Sequence, residues 1–114
     1  MEVKNTTKKL LLADKARMAD SFFGRLRGLL GTKTLALGEG LVIQPCSSIH
    51  TIGMAYNIDV LFIDKNDCIA KIAADIGPGR MAACSGSAYV IELPGGTAAR
   101  TNTSVGDMIR LSAK

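Results

Sequence analysis

The stretch from Ile58 to Asp64, "IDVLFID", allows few folds. In an extended strand Ile58, Val60 and Phe62 fall on one face, and Leu61 and Ile63 on the other. A strand apolar on both faces must be covered on both, so it belongs in the middle of a sheet and not at its edge. Lys65 to Asp67 reads as a hairpin turn, with "CIAKIAADI" (Cys68 to Ile76) as the returning partner. Asp59 opens a row of buried positions, where a carboxylate without partners is costly. Asp64, at the mouth of the hairpin, reads as a turn residue.

Similar short segments recur along the chain. The region from Lys8 to Met18 reads as a strand or a pair of short strands, and Leu41 to Gln44, "SIHTIGM", "AYVIELP" and "DMIRLS" as further strands. "SIHTIGM" and "IDVLFID" are separated only by "AYN". Asp20 to Leu30 carries Phe22, Phe23, Leu26, Leu29 and Leu30 at helical spacing, with Gly31 as its stop. "GPGR" (Gly77 to Arg80) and the stretch from Pro94 to Asp107 read as loops. About seven strands and one short helix result, with connections too short for parallel crossovers. The expected fold is α+β and mainly β: a compact, mostly antiparallel, barrel-like sheet in a single domain spanning residues 1–114. With 47% apolar residues and no tryptophan, the core must come from Leu, Ile, Val, Ala and Met.

Charge narrows the function classes. The net charge is +4, and Lys4, Lys8, Lys9, Lys15 and Arg17 crowd the first segment. No aromatic residues are interleaved for stacking on bases, so a solvated sheet edge is expected there and nucleic-acid binding is not. Three cysteines, Cys46, Cys68 and Cys84, cannot all pair internally, and no CxxC spacing occurs. Reduced thiols in a cytoplasmic protein are expected. The apolar run "LLLA" is short for a secretory signal, and no stretch reaches membrane-span length.

The single histidine, His50, has Cys46 four residues before it and Met54 four after. Thiolate, imidazole and thioether are soft ligands suited to copper. On an extended strand, however, residues four apart sit roughly 13 Å from one another. No metal and no cofactor are expected. The same distance separates His50 from a Cys46 nucleophile, leaving Cys84 as the thiol that another strand would have to bring. The hydroxyls of Ser47, Ser48 and Thr51 are expected to bond local backbone.

A polar cluster is the remaining functional reading. His50 and Asp59 would hydrogen-bond if the strand register puts them on one sheet face, with Arg80 or Glu92 joining them. Replacing His50 with Ala would then cost on the order of 1–3 kcal/mol. Glu92, in "VIELP", reads as the exposed half of an alternating strand in preference to a carboxylate held by backbone amides at the strand end, and Asp107 as a residue bonded to its local backbone.

"PCSSIHTIGM", "IDVLFID" with its turn, "VIELPGGTA" and "VGDMI", in that order, resemble the domain-of-unknown-function 192 family, and the similarity begins at "GRLRGLLG". The resemblance implies a small β-rich fold and no established activity. The family pattern has a basic residue after "GM" and a proline before "IDV", where this chain has Ala55 and Asn57. A tryptophan beside the later Pro and Arg is replaced by Gly79. Any ligand held through those groups would lose part of its site here.

Two function classes remain. One is a non-catalytic binding or accessory module with a small polar pocket around His50 and Asp59, serving a small molecule or a protein partner. The other is a small hydrolase-type enzyme with His50 as general base. A few spaced polar groups in an apolar chain favour the binding module.

Overall fold

A computed structural model describes residues 1–19 and 35–113. The helix expected over Asp20 to Leu30 lies outside the described residues. Ten strands and one short helix are present among them: β1 (Glu2–Asn5), β2 (Leu10–Ala13), β3 (Lys15–Ala19), β4 (Glu39–Ile43), β5 (Ser48–His50), β6 (Ile58–Ile63), β7 (Ile69–Ile76), β8 (Met81–Ala83), β9 (Tyr89–Pro94), α1 (Thr97–Arg100) and β10 (Ile109–Ser112).

The strands form three open sheets in layers. A five-stranded sheet of order β3-β4-β9-β6-β7 lies in the middle, flanked by the three-stranded β10-β1-β2 sheet and the two-stranded β5-β8 ribbon. The fold is mainly β with one short helix, and layering takes the place of barrel closure. "IDVLFI" is central, as its composition demands, paired with β7 on one side and β9 on the other. Its two faces feed two cores. Leu61 and Ile63 pack with Val42, Ile91 and Leu93 against Val3, Leu12 and Ile109 of the three-stranded sheet. Ile58, Val60 and Phe62 pack with Leu41, Ile43 and Val90 against Ile49 of the ribbon.

Several elements differ from the sequence reading. β1 has only Val3 as an apolar inward residue, so its pattern is too thin to read. β8 is three residues long, and α1 sits in a stretch read as loop. β3 and β4 run parallel. The chain between Ala19 and Glu39 exceeds the dozen or so residues that a parallel crossover requires. β5 ends at His50 because Met54 N–H bonds Thr51 O and Gly53 has φ 86°, which turns the chain away. β5 therefore pairs with β8 and never forms a hairpin with β6.

Candidate functional site

The four residues expected to cluster are divided between two layers, His50 and Arg80 at the ribbon and Asp59 and Glu92 in the central sheet. Asp59 is fully buried on the β6 face that carries Leu61 and Ile63. Its Oδ1 accepts the amides of Asp75 at 2.7 Å and Gly96 at 3.1 Å, and its Oδ2 accepts the amide of Ala98 at 2.7 Å. Each donor has a local reason to need it. The β6–β7 register shifts between Ile58 and Val60, and Asp75 has φ 50°, so this bulge frees its N–H from the ladder. Gly96 is the N-cap of α1, with φ 92° and no side chain to cap the helix. Asp59 supplies the missing cap from another strand, negative charge against the positive helix end. Three backbone amides satisfy the carboxylate, and His50 is not among its partners.

That corrects the expected His50–Asp59 hydrogen bond. The physical reason is the turn after His50, which hands β5 to β8 on the opposite side of the central sheet. In the ribbon, Ile49 faces the core opposite Ala82, so His50 and its register partner Met81 face outward. His50 is half-buried, and its Nδ1 accepts the amide of Ile52 at 3.3 Å. With Nδ1 accepting, the neutral ring carries its proton on Nε2. Met81 is 79% exposed and Ile52 54%.

Arg80 borders the same end of the ribbon. Its backbone is fixed by Thr51, whose N–H bonds Arg80 O at 2.8 Å and whose Oγ1 accepts Arg80 N–H at 2.8 Å. The Thr51 hydroxyl donates to Gly77 O at 2.7 Å, so this buried side chain bonds backbone, but that of the distant Gly77–Arg80 loop and not the local backbone expected. The Arg80 side chain is exposed and makes no ion pair among the described residues. Gly79, where the resemblance implies a tryptophan, has φ 75° and open space around its Cβ position. His50 and Arg80 are thus brought together at one end of the ribbon, while Asp59 is not.

Glu92 is buried, 1% exposed, and not the outward half of an alternating strand. β9 lies between β4 and β6 and is covered on both faces, so it has no outward half. Glu92 stands opposite Leu41 and Val60, on the sheet face beneath the ribbon.

A second polar group went unread in the sequence. Asn5 Nδ2 donates to Thr103 Oγ1 at 3.1 Å and to Asp107 Oδ2 at 2.8 Å, and Lys8 Nζ reaches the same Oδ2 at 2.8 Å. The expected local bond of Asp107 is present too, from Ser104 N–H at 3.0 Å. Burial alone would raise the Asp107 pKa, but the bonds from Asn5, Lys8 and Ser104 and the Lys8 charge outweigh it and lower the value. This network joins the β1–β2 turn to the loop before β10. Nothing local signals a contact between the two chain ends.

No disulfide links Cys46, Cys68 and Cys84. Among the described residues no three His, Cys, Asp or Glu side chains converge as a metal-binding set, and no helix is long and apolar enough to cross a membrane.

The likenesses of this chain agree with its architecture. A UPF0127 protein of Pyrococcus horikoshii is 31% identical over 112 residues, covering 95% of this chain and 96% of its own length. A UPF0127 protein of Thermococcus sibiricus is 31% identical over 110 residues, covering 92% and 71%. A crystal structure of a protein of unknown function from Novosphingobium aromaticivorans superposes with a TM-score of 0.80 at 21% identity, covering 96% of this chain and 82% of the other. A protein of Sinorhizobium meliloti 1021, described as a candidate transcription regulator, gives 0.78 at 21%, covering 96% and 89%. At that identity the two structures speak for the fold alone. The family described as DUF192 (Uncharacterized ACR, COG1430) matches residues 2–111, and with relatives at 31% identity over nearly its whole length the chain belongs to that family.

Proposed function

We propose that the protein is a non-catalytic binding module whose recognition groups are His50 and Arg80 on the β5–β8 ribbon. The observation that carries this reading is the state of His50. Its ring is held by a backbone amide, its Nε2 points away from that bond, and neither a nucleophile nor a carboxylate among the described residues is hydrogen-bonded to it. A general base needs a nucleophile within reach and is usually oriented by a third group. Asp59, the carboxylate expected to hydrogen-bond His50, accepts three backbone amides instead.

The end of the ribbon instead combines exposed Met81 and Ile52 with a half-buried imidazole and, one residue before Met81, an exposed Arg80 that is in no ion pair among the described residues. Methionine and arginine beside apolar area are enriched at protein interfaces. The fitting occupant is a protein partner that offers an apolar side chain to Met81 and a carboxylate to Arg80. A cytoplasmic setting belongs to the same proposal and is supported by three cysteines that form no disulfide.

A photo-crosslinking amino acid at position 81, in the full chain expressed in its host, tests this. The expected result is one discrete protein adduct, absent when Arg80→Glu is added and absent for the same group at position 105. No adduct, or an adduct indifferent to Arg80→Glu, overturns the reading. Esterase activity on p-nitrophenyl acetate that disappears in His50→Ala overturns it in favour of the hydrolase.

A further inference from the structure

The outer face of the three-stranded sheet, on the other side of the molecule from the ribbon, carries an arrangement that the fold does not require. Lys4 of β1 stands directly opposite Arg110 of β10, and on its other side opposite Leu11 of β2. All three are exposed, Leu11 at 47%. Like charges directly opposite one another weaken a sheet. Arg110 is in no ion pair among the described residues, and Lys4 has only a solvent-exposed contact of 3.6 Å to Glu2. Exposed pairs of that kind hold a lysine weakly. Lys8, by contrast, is committed to Asp107 and Asn102 O.

Beside this cationic row lies an open hollow of about 390 Å³, lined by Lys4, Asn5, Thr6, Lys9, Leu10 and Leu11. Its apolar wall has a specific origin. The β1–β2 register shifts between Val3 and Lys4, so Val3 pairs with Ala13 and Lys4 with Leu11. The shift buries Leu12 and Ala13 together, and Leu10 and Leu11, in regular register beyond it toward the turn, are both exposed. Lys9 closes the turn with φ 59°, a backbone state that side-chain-bearing residues adopt seldom and at a cost.

We propose that this face binds a small anionic amphiphile: a carboxylate-headed molecule with a short aliphatic chain. The head is neutralised by Lys4 and Arg110, with Lys9 at the rim, and the chain lies against Leu10 and Leu11. Charge complementarity chooses the head, because two facing cations, of which only Lys4 has an acid nearby and that one weakly held, gain from an anion between them. The hollow chooses the tail, being mainly apolar and at the small end of the roughly 300–1,000 Å³ range of small-molecule sites.

Octanoate below its micelle concentration is the probe, followed by amide chemical shifts of the full chain. Saturable shifts confined to Lys4, Lys9, Leu10, Leu11 and Arg110 are expected. Acetate, 1-octanol and the variant Lys4→Gln/Arg110→Gln should each bind at least about tenfold more weakly, as expected when charge-assisted bonds or apolar contact are removed. Should that double variant fail to fold, Lys9→Gln and Leu11→Ser read the head and the tail separately. No saturable shift, equal response to acetate, or undiminished binding by the double variant overturns the proposal. Binding to anionic vesicles or duplex DNA in the absence of octanoate binding overturns it as well, in favour of a lipid surface or a nucleic acid.

Discussion

The carboxylate of Asp59 accepts the backbone N–H of Ala98 at 2.7 Å across 39 residues, capping a helix whose own N-cap, Gly96, has no side chain. One side chain thereby fastens β6, the β7 bulge and the start of α1.

Asp59→Ala removes the acceptor from three amides at once. A buried donor left unsatisfied costs about 1–3 kcal/mol, and the neighbourhood relaxes in part, so a loss on the order of 3–5 kcal/mol is expected. Asp59→Asn keeps one acceptor oxygen but turns an NH₂ toward an amide, and should lose about 1–3 kcal/mol. Urea denaturation of both variants checks the order. A loss under 1 kcal/mol for Asp59→Ala would show that water can reach the site.

His50→Ala should be close to neutral for stability, within about 0.5 kcal/mol. Its one hydrogen bond is local, long at 3.3 Å, and made at a surface where water replaces it. The same denaturation measurement decides. A loss above about 1 kcal/mol would reveal a structural role that the ribbon geometry does not contain.

The Asp107 network makes the fold acid-sensitive. Its folded-state pKa lies below the ordinary carboxylate value, so the folded chain binds fewer protons than the unfolded one in that window. The stabilisation is therefore full above about pH 4 and is lost as the pH falls through the depressed value. Lys8→Met removes a bond that lowers the pKa and should move the acid unfolding midpoint to higher pH. Carboxyl ¹³C titration of Asp107, with and without Lys8→Met, measures both effects; an unchanged pKa in the variant would contradict the assignment.

Tyr89 supplies the alkaline counterpart. Burial first, then the 2.7 Å bond from its hydroxyl to Asp67 Oδ1 and that residue's charge, push the phenol well above its usual value. The folded chain then holds a proton that the unfolded chain releases, so stability falls as the pH rises past about 10. Tyr89→Phe should cost about 0.5–1.5 kcal/mol at neutral pH and flatten that alkaline decline. Ultraviolet phenolate titration should show one tyrosine ionising only with unfolding.

What the sequence determined by itself is whatever depends on near neighbours. The two-faced apolar pattern of "IDVLFI" made β6 central, Asp64 and its turn made the β6–β7 hairpin, and the burial of Asp59 followed from its place in the row. The ordered motifs gave the family. Tertiary structure alone decided what each polar group meets, because those partners lie far apart in the chain. "SIHTIGM" carries strand-forming residues throughout, yet the turn at Thr51 to Met54 cuts it at His50 and sends it to β8, which is too short to read. That one turn places His50 outside the ribbon and Asp59 across the central sheet from it. Glu92 sits in an alternating-looking "VIELP" and is buried because β9 is central and the β5–β8 ribbon covers its face of the sheet. A local pattern records which side of a strand is apolar; which strand arrives beside it is set by how three layers can cover both faces of one sheet.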